Sequence, residues 1–236
     1  MIIYPAIDIK GGKCVRLVKG DMNSETQYGK PVEMAKRWQA QGAKFIHVVD
    51  LDAAIQGRFS NRDTVKEILD NINIPIQLGG GIRTLEDVDE RIGLGIGRVI
   101  IGTAAYKNPE LVKEAFKKYP GKIVIGIDAN ESGIAISGWV EKTSVSPIEF
   151  ALKMKDIGIN TIIFTDISKD GMLSGPNVEW TKEMVQKTRI DIIASGGIST
   201  LDDIKAVKEA GASGVIVGKA LYNGNFTLKE AIKYAD

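Results

Sequence analysis

The sequence predicts an α/β protein, a (β/α)8 TIM barrel in which eight parallel strands alternate with helices. Short runs rich in Val and Ile alternate eight times with segments of helical periodicity, as in parallel sheets with crossover helices. The length of 236 residues is typical of one such barrel. The second half of the chain also repeats the first, which predicts two homologous half-barrels, about residues 1–120 and 121–236.

The internal repeat is clearest around two glycine-rich turns. Segment 76–106 aligns without a gap on segment 192–222, and 13 of the 31 positions are identical. The same offset of 116 residues places FIHVVD (45–50) on TIIFTD, and an offset of 120 places YPAID on VIGID (124–128). This duplication predicts two similar half-sites around a pseudo-twofold axis, an arrangement that suits a substrate with two similar ends.

The elements follow in order along the chain. The predicted strands are Ile2–Ile7, Phe45–Val49, Pro75–Leu78, Val99–Ile101, Ile123–Ile127, Thr161–Thr165, Ile192–Ala194 and Gly214–Val217. The predicted helices are Pro31–Gln41, Arg62–Asn71, Leu85–Leu94, Pro109–Lys118, Pro147–Ile157, Val178–Lys187 and Leu201–Ala210. Several helices begin with Pro or with the caps Thr84 and Thr200, and four are followed by Gly42, Gly95, Gly158 and Gly211. A doubly wound open sheet is the alternative, but it needs a topological switch point and explains the half-chain repeat less well. Because no linker interrupts the pattern, we expect a single domain, residues 1–236.

Composition excludes several classes of function. The apolar fraction is 44% and Lys+Arg, 31 residues, balances Asp+Glu, 30 residues, so no net field favours nucleic acid or an anionic membrane. The start of the chain does not resemble a signal peptide, and no apolar run is long enough to cross a bilayer. A single cysteine fits a reducing compartment. We therefore expect a cytoplasmic protein, a monomer, that binds a small molecule.

The active site of a (β/α)8 barrel lies at the carboxyl ends of its strands. Asp8 and Asp128 occupy equivalent ends of the first and fifth strands, so they should face each other across the barrel mouth. Two carboxylates in different environments can act as acid and base if their pKa values are pushed apart. For the second symmetric pair, Asp50 and Asp166, we favour a structural role.

Glycine-rich turns follow four strands and open the next helices. They read LGGGIRT, IGTAA, ASGGIST and VGKAL. Glycine lets backbone N–H groups approach an anion closely, and loops after the seventh and eighth strands of such barrels commonly bind phosphate. Because the repeat places a matching pair after the third and fourth strands, two phosphate sites are predicted. The alternative is that these glycines only permit tight turns.

Other chemistries find little support. His47, the only histidine, lies in an apolar run without metal-ligand or triad spacing, so no metal site is predicted. Cys14 lacks a histidine base, and no dinucleotide fingerprint opens a first strand–helix unit, so no cofactor is predicted. Trp139 is placed to stack on an aromatic ligand or to anchor its loop. Arg83, replaced by Ser199 in the other repeat, either contacts one end of the substrate or forms a surface salt bridge.

A family resemblance is carried by motifs spread over the whole chain. They are PAIDIKGGKCVRL, HVVDLDAA, GGGIRT, IGTAA, GIDA, SGW, TDISKDGMLSGPN, ASGGIS and GKALY. Together they resemble the phosphoribosylformimino-5-aminoimidazole carboxamide ribotide (ProFAR) isomerase family of histidine biosynthesis. The resemblance implies a duplicated half-barrel enzyme whose substrate carries a phosphate at each end. It also implies an Amadori rearrangement of an aminoaldose to an aminoketose without metal or cofactor.

The resemblance assigns roles to residues of this chain. It implies Asp8 as general base and Asp128 as general acid, assisted by Thr165. It further implies that one phosphate is held by Gly81, Gly102 and Thr103, and the other by Gly171, Gly197, Gly218 and Lys219. Asp170, Arg83 and Trp139 would contact the substrate between them.

Three other functions stay open at this point. The related cyclase subunit of the same pathway also has Asp at both strand ends, but its first strand typically has a Cys before Leu-Asp, where this chain has Ala6-Ile7-Asp8. A dual-specificity isomerase would also act on phosphoribosylanthranilate, a smaller substrate with one phosphate. A non-catalytic phosphosugar-binding barrel would bind the ligand and tolerate loss of either aspartate.

Overall fold

Eight parallel strands close into a barrel, which confirms the predicted fold class. In this computed structural model the backbone of residues 1–236 is described, and so are all side chains except that of Asn23. The strands are β1 (Ile2–Lys10), β2 (Lys13–Val18), β3 (Asp21–Gln27), β4 (Ile46–Asp50), β5 (Ile76–Gly79), β6 (Arg98–Ile101), β7 (Ile123–Asn130), β8 (Gly133–Ile136), β9 (Glu141–Lys142), β10 (Thr161–Asp166), β11 (Asp191–Ser195) and β12 (Gly214–Val217). The barrel order is β1-β4-β5-β6-β7-β10-β11-β12, and β12 pairs in parallel with β1 to close it.

Helices follow the barrel strands and cover the outside. They are α1 (Pro31–Ala40), α2 (Leu51–Gln56), α3 (Arg62–Asn71), α4 (Leu85–Gly93), α5 (Thr103–Lys107), α6 (Pro109–Lys118), α7 (Pro147–Ile157), α8 (Val178–Thr188), α9 (Leu201–Glu209), α10 (Lys219–Asn223) and α11 (Leu228–Ala235). No helix in the described structure is both long and apolar enough to span a membrane.

Local signals set the helix ends where the sequence placed them. Thr84 and Thr200 both form capping boxes, in which the threonine side chain accepts from the backbone N–H of Asp87 or Asp203 and that aspartate accepts in return. Gly158 ends α7 with φ 111°, a left-handed conformation that glycine adopts without strain. The two halves of the chain therefore use the same terminal chemistry at equivalent helices.

The barrel strands have two buried faces, and each face belongs to a different core. Alternate residues pack outward against the helices in one large cluster that includes Ile7, Val48 and Ile125. The residues between them form a second, inner cluster of Tyr4, Ala6, Ile100, Val124, Ile163, Ile193 and Ile216. This inner cluster fills the barrel below the carboxyl ends of its strands, so the floor of the mouth is largely apolar.

Two hairpins that the sequence analysis did not place rise from the barrel mouth. After β1 the chain turns back into β2, which pairs antiparallel with both β1 and β3. After β7 it turns back into β8, which pairs with β7 and β9. The hairpins extend the first and fifth barrel strands, which carry the two predicted catalytic aspartates. They supply side walls to the site.

Candidate active site

Asp8 and Asp128 lie on opposite sides of the barrel mouth. Their strands, β1 and β7, are separated by three barrel strands in either direction. Both residues occupy the same place in an antiparallel hairpin, where Asp8 pairs with Val15 and Asp128 pairs with Ala135. The duplication therefore presents two carboxylates, each held by a strand and its hairpin, toward a shared space.

Asp8 is paired with a cation. Nη1 of Arg16, on β2, lies 2.6 Å from Oδ2 of Asp8, and both side chains are nearly buried. Burial raises the pKa of Asp8, whereas the charge and hydrogen bond of Arg16 lower it, and the balance leaves the pKa above its ordinary value. The guanidinium favours the ionised carboxylate, which is the form that a general base requires.

Asp128 has only neutral hydrogen-bond donors. Nε1 of Trp139 donates to its Oδ2 at 2.7 Å. Thr165, its neighbour across the β7–β10 pairing, supplies a second side-chain hydrogen bond. Burial raises the pKa of Asp128, and these two hydrogen bonds offset part of that rise. Without a cation partner, Asp128 is the carboxyl better suited to hold a proton.

Asp170 is a third carboxylate at the same mouth. It lies in the loop after β10, and its carbonyl accepts a hydrogen bond from the backbone N–H of Lys19 at 3.2 Å. Burial and the negative charges of Asp8 and Asp128 raise the pKa of Asp170, Arg16 and the backbone N–H of Gly171 oppose the rise, and the net pKa is about 6. Asp170 is therefore close enough to both Asp8 and Asp128 for their charges to act on it, and Arg16 is the cation that opposes them.

The half-site after β11 and β12 contains two cationic side chains. Nζ of Lys219 donates to the carbonyl of Gly171 at 3.0 Å, and no described carboxylate lies within 4.0 Å of it. The guanidinium of Arg16 packs directly over Gly218, where a Cβ would lie 2.8 Å from its Cζ. Nε and Nη2 of Arg16 are buried without a hydrogen-bond partner. Buried donors without partners are uncommon in native proteins, and an anion bound here would satisfy them.

The half-site after β5 and β6 has the same backbone geometry, with Thr103 in the place of Lys219. Gly102 and Gly218 each precede a short helix, with φ/ψ of −99°/−106° and −109°/−102°. Oγ1 of Thr103 accepts from the backbone N–H of Ser137 at 2.9 Å, which ties the β8–β9 turn to this half-site. One cavity is lined by Gly102, Thr103, Asp128 and Trp139, so this half-site opens toward Asp128.

The paired glycines have a packing role as well. Gly81 has φ 69°, and a Cβ there would lie 2.5 Å from the carbonyl oxygen of Ala53. Gly197 has φ 86°, and its Cβ would collide with the carbonyl of Gly175. The tight-turn alternative therefore explains these two positions without a ligand. Gly102 differs, because nothing lies within 4 Å of its Cβ position.

Asp50 and Asp166 hold loops, in agreement with the structural role favoured for them. Asp50 accepts from the backbone N–H groups of Ala53 and Asn61 and from the Asn61 side chain. Asp166 accepts from Ser168 and from the side chain of Asn177, which is the repeat equivalent of Asn61. Both residues are buried, and their carboxylate oxygens accept hydrogen bonds from these loops.

Arg83 lies outside the cluster of carboxylates. Its side chain is exposed and its guanidinium packs over Gly57 in the loop after α2. No carboxylate of the described side chains lies within 4.0 Å of it, so the surface salt bridge considered for this residue is not formed. Arg16 is the site residue that the sequence analysis did not single out. Its signal was the short apolar, β-branched run CVRLV (14–18), interrupted only by Arg16 and separated from Asp8 by the turn-forming Gly11-Gly12.

The site contains carboxylates, a guanidinium and hydroxyl groups. Among the described residues no group of three His, Cys, Asp or Glu side chains is arranged to hold a metal ion. Two opposed carboxyl groups with different partners can exchange protons with a bound molecule from its two sides. The flanking half-sites can bind anions at its two ends.

Fold and site together define a (β/α)8-barrel protein with a duplicated, carboxylate-lined mouth. The family model described as "Histidine biosynthesis protein" matches residues 2–227, and the chain belongs to this family. Similar curated proteins come from Thermoanaerobacter pseudethanolicus and Acetivibrio thermocellus, each 52% identical over 236 residues and covering 100% of both chains. A third, from Geotalea daltonii, is 50% identical over 98% of this chain and 96% of its own. All three are named 1-(5-phosphoribosyl)-5-((5-phosphoribosylamino)methylideneamino)imidazole-4-carboxamide isomerase.

Proposed function

We propose that this protein is an isomerase of histidine biosynthesis that converts the aminoaldose ProFAR into the corresponding aminoketose. The observation that carries the proposal is the pair Asp8 and Asp128, opposed across the barrel mouth and flanked by two equivalent glycine-rich half-sites. Relatives that share half of the residues over the full length bear the name of this isomerase, which supports the same assignment.

The rearrangement needs an acid and a base on opposite sides of the sugar. Asp128 protonates the ribose ring oxygen, and the ring opens to a Schiff base. Asp8 then removes the proton from C2, which gives an enolamine that tautomerises to the ketone. Each well-placed proton-transfer group contributes about 10²–10⁴-fold to the rate. Thr165 orients Asp128 through its hydrogen bond.

The electrostatics support this division of roles. A solvated aspartate with a pKa near ~3.9 is a poor acid at neutral pH. Burial raises the pKa of Asp128, and the hydrogen bonds from Trp139 and Thr165 offset only part of that rise, which favours the protonated form that donates. Asp8 is equally enclosed, but the Arg16 guanidinium at 2.6 Å stabilises its ionised form. The two carboxyls thus differ by the charge of one neighbour.

Two phosphate anchors position the reacting carbon between these groups. In our proposal Gly81, Gly102 and Thr103 bind one phosphate, and Gly171, Gly197, Gly218 and Lys219 bind the other. Asp170 and Trp139 contact the central part of the substrate, and Arg83 contacts the end near Gly81. Anchoring at both ends contributes through orientation, which can exceed the effect of a single proton-transfer group.

The cellular setting follows from the same proposal. We infer a single barrel domain of residues 1–236 that acts as a cytoplasmic monomer on a small bis-phosphorylated substrate, without cofactor, nucleic acid or membrane. The balance of 31 Lys+Arg against 30 Asp+Glu agrees with anion binding by local arrangement instead of by a strong overall field.

Turnover of ProFAR by the purified protein tests the proposal. Asp8→Asn and Asp128→Asn should each lower kcat by at least about 10²-fold while substrate binding survives. The exposed Asp156→Asn on α7 is the matched control and should keep wild-type kcat. A variant of Asp8 or Asp128 that retains more than about a tenth of wild-type kcat contradicts its assigned role.

Assays with phosphoribosylanthranilate and with the aminoketose product distinguish the alternatives. Turnover of both aminoaldoses identifies a dual-specificity enzyme, and consumption of the product with ammonia identifies a cyclase. Binding of ProFAR without turnover by wild type identifies a non-catalytic barrel and contradicts the proposal.

A further inference from the structure

The barrel interior breaks the internal symmetry at a pair of polar residues on β4 and β5. Along the repeat, His47 on β4 corresponds to Ile163 on β10, and Gln77 on β5 corresponds to Ile193 on β11. Both isoleucines belong to the apolar cluster that fills the barrel. The first half therefore places an imidazole and an amide where the second half has hydrocarbon.

His47 and Gln77 point into the barrel and contact each other. Ile46 and Val48, the neighbours of His47 on β4, pack outward in the large cluster, so the alternation of the strand turns His47 inward. Nε2 of Gln77 lies 3.1 Å from Nδ1 of His47. Gln77 is fully buried and its Oε1 has no hydrogen-bond partner, whereas the His47 side chain is only partly buried.

This contact selects one tautomer of the imidazole. The Gln77 amide nitrogen is a donor only, so Nδ1 of His47 must accept and the ring proton is on Nε2. Burial and the charge of Arg16 lower the pKa of His47 to about 3, so the ring is neutral at physiological pH. A neutral imidazole with Nδ1 occupied has one remaining polar group, the Nε2–H donor.

The position of His47 relative to Asp8 indicates what this donor meets. His47 pairs with Ala6 on β1, and Val49, the next inward residue of β4, pairs with Asp8. His47 thus lies one inward position below the level of Asp8, toward the floor of the mouth, and within the electrostatic reach of Arg16. A molecule held at its two ends by the rim half-sites presents its middle to this floor.

We propose that His47, held by Gln77, positions the substrate by donating its Nε2–H to a hydroxyl of the opening sugar, beside the carbon that Asp8 deprotonates. The proposal rests on the isomerase function proposed above and adds a binding group to it. A neutral donor suits this position, because it binds a hydroxyl oxygen without adding a second cation beside Asp8. It also does not compete with Asp8 for the proton of the substrate carbon.

Because the chain contains a single histidine, ¹⁵N-labelled imidazole reports on this group alone. In the free protein the spectrum should show the Nε2–H tautomer without titration between about pH 5 and pH 8. Saturating aminoketose product should shift the Nε2 resonance. A Nδ1–H tautomer, or an Nε2 resonance that does not move when the product saturates the protein, overturns the proposal.

Variants separate this role from a structural one. The double variant His47→Ile/Gln77→Ile reproduces the pair Ile163/Ile193 of the other half, so the interior has a precedent for packing it. We expect ProFAR kcat/KM to fall about 10-fold or more with an undiminished thermal midpoint. Gln77→Ile alone should cause a smaller loss, because Nε2–H is retained.

The outcomes also distinguish the two proposals. Wild-type kcat/KM in the double variant overturns the role of His47 while leaving the isomerase proposal intact. A loss accompanied by a lowered thermal midpoint, with the product resonance shift absent in wild type, assigns the pair to packing. Failure of wild type to turn over ProFAR contradicts the proposed function itself, independently of His47.

Discussion

Arg16 and Asp8 form an ion pair of 2.6 Å across the hairpin of β1 and β2, whereas none of the described side chains forms an ion pair with Asp128. At the corresponding hairpin of β7 and β8, the partner of Asp128 is the indole of Trp139. A charged partner in one half and a neutral partner in the other turn a duplicated carboxylate into two chemically different groups. This difference makes the proposed roles separately testable by pH.

Arg16→Gln should move the acid limb of the pH profile. Activity requires ionised Asp8 and so declines as pH falls through the pKa of Asp8. Because the Arg16 charge lowers that pKa, its removal raises the pKa of Asp8 and shifts the acid limb of kcat/KM to higher pH. The exposed Arg37→Gln on α1 is the control. An acid limb that stays in place would remove Asp8 from the role of base.

Trp139→Phe should move the opposite limb. Protonated Asp128 is the active form, so activity declines as pH rises through its pKa. The Trp139 hydrogen bond lowers the pKa of Asp128, and its loss raises that pKa, which shifts the alkaline limb of kcat to higher pH. Trp180→Phe, on α8 against Phe164, controls for loss of an indole elsewhere. A shift of the acid limb instead would show that Asp128 acts in its ionised form, as the base, and would contradict the assignment of Asp8 to that role.

Much of this architecture was predictable because its signals are local. Proline at the first turn, the capping boxes of Thr84 and Thr200, and Gly158 after α7 each act within a few residues, so helix ends agreed closely with the prediction. The eight barrel strands could be recognised because parallel strands buried on both faces read as continuous apolar runs.

Because the barrel strands are apolar on both faces, part of the site could not be predicted from the sequence. When both faces of a strand are apolar, periodicity does not tell which residues point inward, so the contact of His47 with Gln77 could not be derived. The pairing of Arg16 with Asp8 depends on the register of an inserted hairpin, a long-range feature. The symmetric placement of Asp8 and Asp128 was accessible only because the repeat carried it.

Asp170→Asn should stabilise the protein above neutral pH. The pKa of Asp170 is raised to about 6 in the folded state, so folding takes up a proton between about pH 4 and pH 6. The stability that Asp170 contributes is complete below its unfolded pKa and is lost as pH rises through about 6. Removing the buried charge should therefore increase the free energy of unfolding by about 1–3 kcal/mol at pH 7.5, with little change near pH 4.

Urea unfolding at the two pH values measures this difference, and the exposed Asp156→Asn is the control. Because Asp170 is also proposed to contact substrate, the same variant should raise KM. A variant that is no more stable than wild type at pH 7.5 would show that Arg16 already compensates the charge of Asp170 in full.

Gly102→Ala should weaken substrate binding without destabilising the fold, whereas Gly81→Ala should destabilise the fold. At Gly102 an added methyl meets nothing within 4 Å, so the fold should persist. That methyl would occupy the space assigned to a phosphate, and KM for ProFAR should rise about 10-fold or more, since a charge-assisted hydrogen bond contributes about 1.5–3 kcal/mol. At Gly81, with φ 69° and the Ala53 carbonyl oxygen 2.5 Å from the Cβ position, alanine should lower the free energy of unfolding by about 1–3 kcal/mol.

Gly93→Ala, at an exposed position near the end of α4 with open space around it, is the matched control. It should neither raise KM nor lower the free energy of unfolding. Thermal unfolding and steady-state kinetics on the three variants give the comparison. If Gly102→Ala binds ProFAR as well as wild type, the space beside Thr103 is not a phosphate site. The glycine-rich turns of the first half would then be explained by packing alone, as the collision at Gly81 already allows.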